Sequence, residues 1–475
     1  MGLLFLHDGV ACHRARLDYI AQICYNTLNI PILPTEVTKM KHKWVAPVFA
    51  AVFIAAVILG LVIRFQNVKD PADEIRATLP TEDVTLPVTE PNVPAYTVPT
   101  DPPETTPPSE TEPEPKDEAS EPETPDLFET PPELEDQTVD TSENDGDGIV
   151  RICIGGDTSI DSEFADFARS RSVDYPWAEI SEVMNAADIA IVNLETCVSE
   201  RGTSEKREGY GFRTPPEMLE GFKNAGIDAV NLANNHTRDF GYDALTDTFA
   251  HLKNYGIGYF GAGQDYDDAS GLLIIERDGV KIGFTGANRV YLTPDCAAKE
   301  EHAGINQIGD PDSESTKAYI DRLYEYDTQC DVLIVFLHAG TEEVFDVTSY
   351  QKEMSRKFID AGADIVVGGH SHTLQPIEFY EGKPIIYSIG NLIFWHIDDD
   401  IDGLTAIFDI EVDKNGFRGL KLHPLFIKNY KVYYLEDGAG SFPMRYSQII
   451  ELMNGICKPY GTQFDSGGVM YTIAE

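Results

Sequence analysis

Residues 362–375, GADIVVGGHSHTLQ, join an apolar run to a pair of histidines. The run 364–367 has the short, β-branched character of a strand buried on both faces. Two glycines follow, then His370 and His372, one residue apart. Positions i and i+2 of an extended segment share a side, so alternation predicts both imidazoles aimed at one point beyond the strand's carboxyl end. In open α/β sheets that end is where ligands bind. A surface loop holding two histidines by chance is the plain alternative. It loses ground because other metal-type side chains stand at the ends of other apolar runs.

Outward from this stretch, apolar runs alternate with segments of helical spacing. Strands are expected at 149–154, 189–194, 229–232, 272–275, 282–285, 332–337, 365–367 and 385–389. Helices are expected at 176–187, 215–225, 244–255, 313–326 and 350–361. Strand alternating with helix predicts an α/β domain with largely parallel pairing. The closer spacing after residue 375 predicts an antiparallel return. Residues 149–475 are ample for one large core.

Upstream the chain changes character. Residues 1–44 show no convincing periodicity, and Met40, followed by basic residues, has the look of a bacterial translation start. Residues 45–63 are 19 uncharged positions, long enough to cross a bilayer core. No small-residue cleavage site follows, so an uncleaved transmembrane helix is expected. Lys39, Lys41 and Lys43 put the amino terminus in the cytoplasm and the rest of the chain outside. Residues 64–148 are rich in Pro, Glu and Thr. From 70 to 148 they carry 24 acidic and 2 basic side chains, half of the net charge of −44. So little can be buried there that a disordered stalk is expected, with a reach of about 200 Å in extended form. The acidity argues against nucleic acid as a partner. Seven cysteines without a C-x-x-C pattern give no disulfide framework and read as small buried hydrophobes.

The carboxyl ends of the expected strands carry the chemistry. The first runs into Asp157, and the second contains Asn193 and ends at Glu195. The third leads to Asn234, Asn235 and His236, with Asp239 beyond; a later one ends at His338, followed by Glu342. One acid after a strand is ordinarily a turn or a cap. Five such ends on one edge, counting His370 and His372, are hard to explain by packing. Mixed carboxylate, amide and imidazole ligands suit Mn²⁺, Fe²⁺ or Zn²⁺, whereas structural zinc favours cysteine. There are enough ligands for two ions bridged by one carboxylate, an arrangement that activates water and clamps both oxygens of a displacement. Arg213 reads either as a holder of an anionic substrate group or as an ordinary surface arginine. Asp239 reads as a partner of His236 or as a helix cap. Asn193, Asn234, Glu342 and Asn391 are placed to hydrogen-bond the ligands, or to close strand ends.

Five separated motifs stand in a recognisable order: GGDTS, IVNLETCVS, YGFRTPP through LANNHTRDFG, FLHAGTEE, and AGADIVVGGHSHTLQ with YSIGNLIF beyond it. The series resembles that of the calcineurin-like metallophosphoesterases. Over residues 151–394 it is more similar to their CapA branch, the poly-γ-glutamate or capsule biosynthesis proteins. The resemblance implies a four-layer α/β/β/α sandwich, preceded here by one transmembrane helix and the stalk, and two divalent metal ions. It implies that Asp157 and His372 bind one ion, that Asn235, His338 and His370 bind the other, and that Glu195 bridges them. His236 would then be the general acid or transition-state partner, with Asp239 beside it. Two positions depart from the pattern. Ser159 stands where the superfamily has the histidine of Asp-x-His, which predicts one weakly held ion. Gly369 stands where CapA-like proteins often carry an extra histidine.

The expected function is that of a membrane-anchored extracellular protein of capsule or poly-γ-glutamate synthesis, hydrolysing or transferring an anionic envelope polymer. One alternative is an envelope phosphodiesterase or phosphatase of the same fold. Another is a non-catalytic subunit that works with membrane synthase or export subunits. Expressed alone, residues 149–475 should fold, because their alternating elements supply their own core; an unfolded product in the presence of divalent metal would move the boundary.

Overall fold

Strands made almost wholly of Ile, Val and Leu need cover on both faces, and the chain supplies it with two facing sheets between helices. The computed structural model describes residues 138–140, 148–206, 210–290, 296–394, 403–435 and 445–472, all within the unit Leu79–Glu475. The expected amino-terminal segment, the membrane span and most of the stalk lie outside the described residues.

In the first sheet β1 (Val150–Thr158), β2 (Ile189–Leu194) and β3 (Ala229–Asn231) pair in parallel. Gly258–Phe260 continues it on one side. Leu404–Asp413, Gly416–Lys428 and Lys431–Tyr434 extend it in antiparallel fashion on the other. The second sheet centres on β4 (Val280–Asn288), β5 (Val332–His338) and β6 (Ile365–Gly369), again parallel. Leu273–Arg277 lies antiparallel to β4. The hairpin Ile377–Tyr380 and Lys383–Ile386 closes the far side, as the spacing after residue 375 predicts.

Alternate residues divide the core. Cys153, Ala190, Val192 and Val230 cluster with α1 (Ser162–Arg171), Leu219–Asn224 and α2 (Gly241–Tyr255). Leu333, Val335, Leu337 and Val366 cluster with α3 (Glu314–Tyr326) and α4 (Ser349–Asp360) through Tyr319, Leu323, Met354 and Phe358. The intervening side chains, among them Ile152, Ile191, Phe284, Ile334 and Phe336, point the other way and are equally buried. The Phe260 ring lies 5.9 Å from that of Phe284 and 5.1 Å from that of Phe336. The sheets therefore cover each other, and the layers run helix, sheet, sheet, helix.

Several expectations need correction. The functional strand ends do not share one edge: three belong to the first sheet and two to the second. Strand β1 runs on through Asp157 instead of stopping at residue 154, and its register with β2 slips between Gly155 and Asp157. A Cβ on Gly156 would lie 2.1 Å from the Gly390 carbonyl oxygen; only glycine lets Asn391–Ile393 pair alongside β1. The helices expected at 176–187 and 215–225 each break into a 3₁₀ turn and a short helix, with proline opening the turn and no capping side chain. Thr138–Asp140, inside the stretch expected as stalk, pairs in parallel with Leu273–Arg277. An open sheet edge accepts such a strand readily.

Phe260→Ala removes a ring shared by both sheets. We expect a loss of about 3–5 kcal/mol in denaturant unfolding; a loss below about 1 kcal/mol would show that the sheets do not depend on this contact.

Candidate metal centre

Toward the carboxyl ends, the facing sides of the sheets change from apolar to polar. Asp157, Asn193 and Asn231 form one row across β1–β3, and Asn288, His338 and Gly369 form another across β4–β6. Asn193 joins the rows. Its Nδ2 donates to Asp157 Oδ1 at 2.7 Å and lies 3.5 Å from His338 Nδ1. Its Oδ1 accepts from Asn231 at 2.8 Å and Asn234 at 3.2 Å. Asn234 in turn accepts from the backbone N–H groups of His236 and Thr237. That folds the turn after β3 so that Asn235 Oδ1 comes within 2.7 Å of His338 Nε2.

The alternation argument for His370 and His372 is corrected. Both have left-handed backbones, with φ of 86° and 56°, so the chain turns where an extended path was expected. Such conformations cost non-glycine residues about 1–3 kcal/mol each and persist only where neighbours hold them. His370 N donates to Asp157 Oδ2 at 3.2 Å, Asn391 Nδ2 donates to the His372 carbonyl at 3.2 Å, and His372 Nδ1 lies 2.8 Å from Asn391 Oδ1. The two rings, 6.2 Å apart, serve different points. Glu195, His338 and His370 offer ligand atoms within 4.8 Å of one another, and so do Asp157, Glu195 and His372. Glu195 belongs to both groups.

Asp157 and Glu195 are fully buried. Burial, then the Asp157 charge, pushes the Glu195 carboxyl well above its ordinary range. Burial also works against the Asp157 carboxylate, but contacts with His372, His338 and Asn193 outweigh it and draw Asp157 below its usual range. Burial takes His338 down to about 4 and His370 well below its ordinary value. Both Glu195 oxygens and His370 Nδ1 are buried without a hydrogen-bond partner. His338 Nε2 faces Asn235 Oδ1 and also Glu195 Oε1, the latter at 3.3 Å, and one imidazole proton cannot serve both. Against burial, Glu195 and Asp157 raise the His372 imidazole to about 10. Neutral imidazoles at His338 and His370, unpartnered carboxylate oxygens and an amide oxygen aimed at common points are nonetheless what divalent ions require. The residues present fit such ions.

His236 stands outside both groups. Its Nδ1 is 2.6 Å from Asp239 Oδ2, which also accepts from Phe212 N at 2.8 Å. Its Nε2 is 4.0 Å from Glu195 Oε1, and the Phe212 ring stacks on it at 4.1 Å. Burial lowers this imidazole against the pull of Asp239. Asp239 is thus not a helix cap; α2 starts after Phe240 with no side-chain cap. Arg213 donates through Nη1 and Nη2 to the carbonyls of Glu200, Arg201 and Gly202, and its guanidinium lies 3.7 Å from the Phe240 ring centre. Glu342 sits at the rim, its side chain 60% exposed and 4.0 Å from His370 Nε2. A Cβ at Gly369 would lie 3.0 Å from Asp157 Oδ1 and 3.1 Å from His338 Nδ1, so a side chain there would require both to give by a few tenths of an ångström. Ser159 Oγ is buried without a partner. Sequence reasoning missed Phe212 and Lys206, because loop 199–213 has no periodic signal to read.

A family model described as "Bacterial capsule synthesis protein PGA_cap" matches residues 151–396. The chain is 32% identical over 236 residues to a Mycobacterium tuberculosis protein named "Probable polyglutamine synthesis accessory protein", covering 48% of this chain and 61% of that one. It therefore spans about three fifths of that relative's length. It is 27% identical over 286 residues to the Bacillus subtilis "PGA biosynthesis protein CapA", covering 59% of this chain and 72% of that one. A crystal structure of a hypothetical protein from Thermus thermophilus aligns with a TM-score of 0.37 and 16% identity, covering 58% of this chain and 100% of that one.

Because Glu195 is shared, Glu195→Gln should lower the binding of two ions, whereas His370→Ala and His372→Ala should each lower one. Equilibrium dialysis against Mn²⁺ with metal analysis measures this, and a Glu195→Gln protein that keeps two ions rules out the sharing. In metal-free protein the same Glu195→Gln change should be neutral or stabilising, since it removes an uncompensated buried acid. Added metal should raise the melting temperature of the unaltered protein but not of Glu195→Gln.

Proposed function

Because the chain belongs to the bacterial capsule synthesis family PGA_cap, we propose that it is a metal-dependent hydrolase or transferase of the calcineurin-like metallophosphoesterase type. Its substrate in this reading is an anionic envelope polymer such as poly-γ-glutamate. One observation carries the proposal: an unpartnered buried carboxylate, Glu195, is common to two ligand groups and has the His236–Asp239 pair 4.0 Å away. A purely structural metal site has no use for that pair.

In this reading Asp157 and His372 would hold one divalent ion (Mn²⁺, Fe²⁺ or Zn²⁺), Asn235, His338 and His370 would hold the other, and Glu195, common to both groups, would serve each. Ions held there would supply Lewis-acid chemistry, lowering the pKa of water and polarising a scissile carbonyl. The chain's own residues do the rest. Asn193 and Asn391 fix the orientation of Asp157 and His372 through their hydrogen bonds. Asp239 holds His236 by Nδ1, so Nε2 is the atom that exchanges a proton with substrate. In amide hydrolysis the water oxygen bonds to the carbonyl carbon as His236 Nε2 takes the water's proton, the C–N bond breaks, and Nε2 hands that proton to the departing nitrogen. In transfer an acceptor amine replaces the water. The mycobacterial relative is named an accessory protein, which supports a second reading as a non-catalytic subunit of a polymer synthesis or export complex.

Incubation of the Mn²⁺-loaded full chain with poly-γ-glutamate should shorten the polymer and expose new amino groups. His236→Ala should slow this by roughly 10²–10⁴-fold with metal content retained. Turnover of bis(p-nitrophenyl) phosphate alone would favour an envelope phosphoesterase, and no turnover of either substrate would favour the subunit reading.

We also propose that residues 45–63 anchor the chain in the cell membrane with the folded part outside. Protease added to intact cells should release a fragment that begins between residues 70 and 137, since an acidic stalk is open to cleavage. Protection of that stretch until lysis would reverse the orientation.

A further inference from the structure

Residues 199–206 and 210–213 lie against the turn that carries Asn235, His236 and Asp239. Glu205 N donates to the Asp239 carbonyl at 2.7 Å, and Phe212 supplies both the N–H on Asp239 and the ring on His236. Between them lies Lys206, its side chain only 8% exposed. Its ammonium is 3.1 Å from Asp239 Oδ1 and donates to the Asn235 carbonyl at 3.0 Å. A single cation thus grips the residue before His236 and the carboxylate behind it.

We propose that Lys206 is the positioning residue of His236, fixing its tautomer and its place relative to Asn235; this rests on the reading in which His236 exchanges a proton with substrate. Asp239 is fully buried, and a buried carboxylate without a counter-charge is costly. Its Oδ2 is already used by His236 and Phe212, so Lys206 meets the charge on the other oxygen. With that charge met, Asp239 remains an acceptor, the proton stays on His236 Nδ1, and Nε2 faces Glu195. Without it, the carboxylate is left with one oxygen unmet and gains by turning toward another donor, which takes the acceptor away from His236 Nδ1 and frees the imidazole to change tautomer. The compact ammonium suits this place because it donates to the Asn235 carbonyl while its charge sits at ion-pair distance from Asp239 Oδ1.

The test uses the Zn²⁺-loaded full chain labelled with ¹⁵N at histidine, whose ring shifts distinguish the two neutral tautomers. His236 should show the Nδ1–H form in the unaltered protein and in Lys206→Arg, and a mixture in Lys206→Met. In parallel, kcat of the Mn²⁺ form of Lys206→Met should fall roughly 10- to 100-fold, with KM and metal content retained and Lys206→Arg largely restored. Should Lys206→Met not fold, Lys206→Gln removes the charge while keeping a donor for the Asn235 carbonyl, and the same tautomer change is expected. An unchanged His236 spectrum and unchanged kcat in the charge-removing variant overturn the proposal. If the unaltered chain turns over neither polymer nor phosphodiester while charge removal still changes the tautomer, the proposed activity fails and the positioning role stands.

Discussion

Two carboxylates, Asp157 and Glu195, are buried together where the two sheets meet, and most of the local architecture answers that constraint. Like charges out of water repel strongly and lose their hydration. The chain compensates Asp157 from within, with the Asn193 amide, the His370 N–H and the His372 ring. It leaves Glu195 without a donor. A core selected only for stability would place an apolar side chain there. Retaining an unpartnered acid among three low-basicity or hydrogen-bonded imidazoles is the arrangement expected of a site that awaits cations.

The same constraint shapes the backbone. Asp157 reaches the junction because β1 slips register at Gly156, where a Cβ has no room against Gly390. Asn391, brought alongside by that close approach, then holds His372. The left-handed turns at His370 and His372 send their rings to separate ligand groups. Strain of this sort is tolerated where packing over-determines the geometry; β6 is buried at every residue and β1 at every residue but Arg151. Rigid strands thus carry the ligands, and a loop carries the groups behind His236. That division gives precise placement to the charges and leaves surrounding loops to set specificity.

The apolar alternation made the strands legible from local residues alone, and 189–194 is reproduced to the residue. Asp157, Glu195, Asn235, His338, His370 and His372 likewise stand within a few residues of the ends of strands that hydrophobic runs reveal. The buried reading of cysteine is also local, and Cys153, Cys197, Cys296 and Cys457 are free and buried. Composition determined the acidic, proline-rich character of residues 70–148 in the same way.

Only the tertiary structure decided how these residues meet. Periodicity reports which side a residue faces, not which sheet lies opposite, so strand ends of two sheets read as one edge. The Asn193 bridge to His338 spans 145 positions, and the His370 contact with Asp157 spans 213; no local pattern encodes either. Alternation also failed at His370 and His372, because long-range hydrogen bonds overrode the extended backbone it assumes. Arg213 and Lys206 are both cations of one irregular loop, and sequence offers no physical basis for ranking them. The fold assigns Arg213 to carbonyls of that loop and Lys206 to the turn that carries His236, because a charge is defined by what the folded chain places against it.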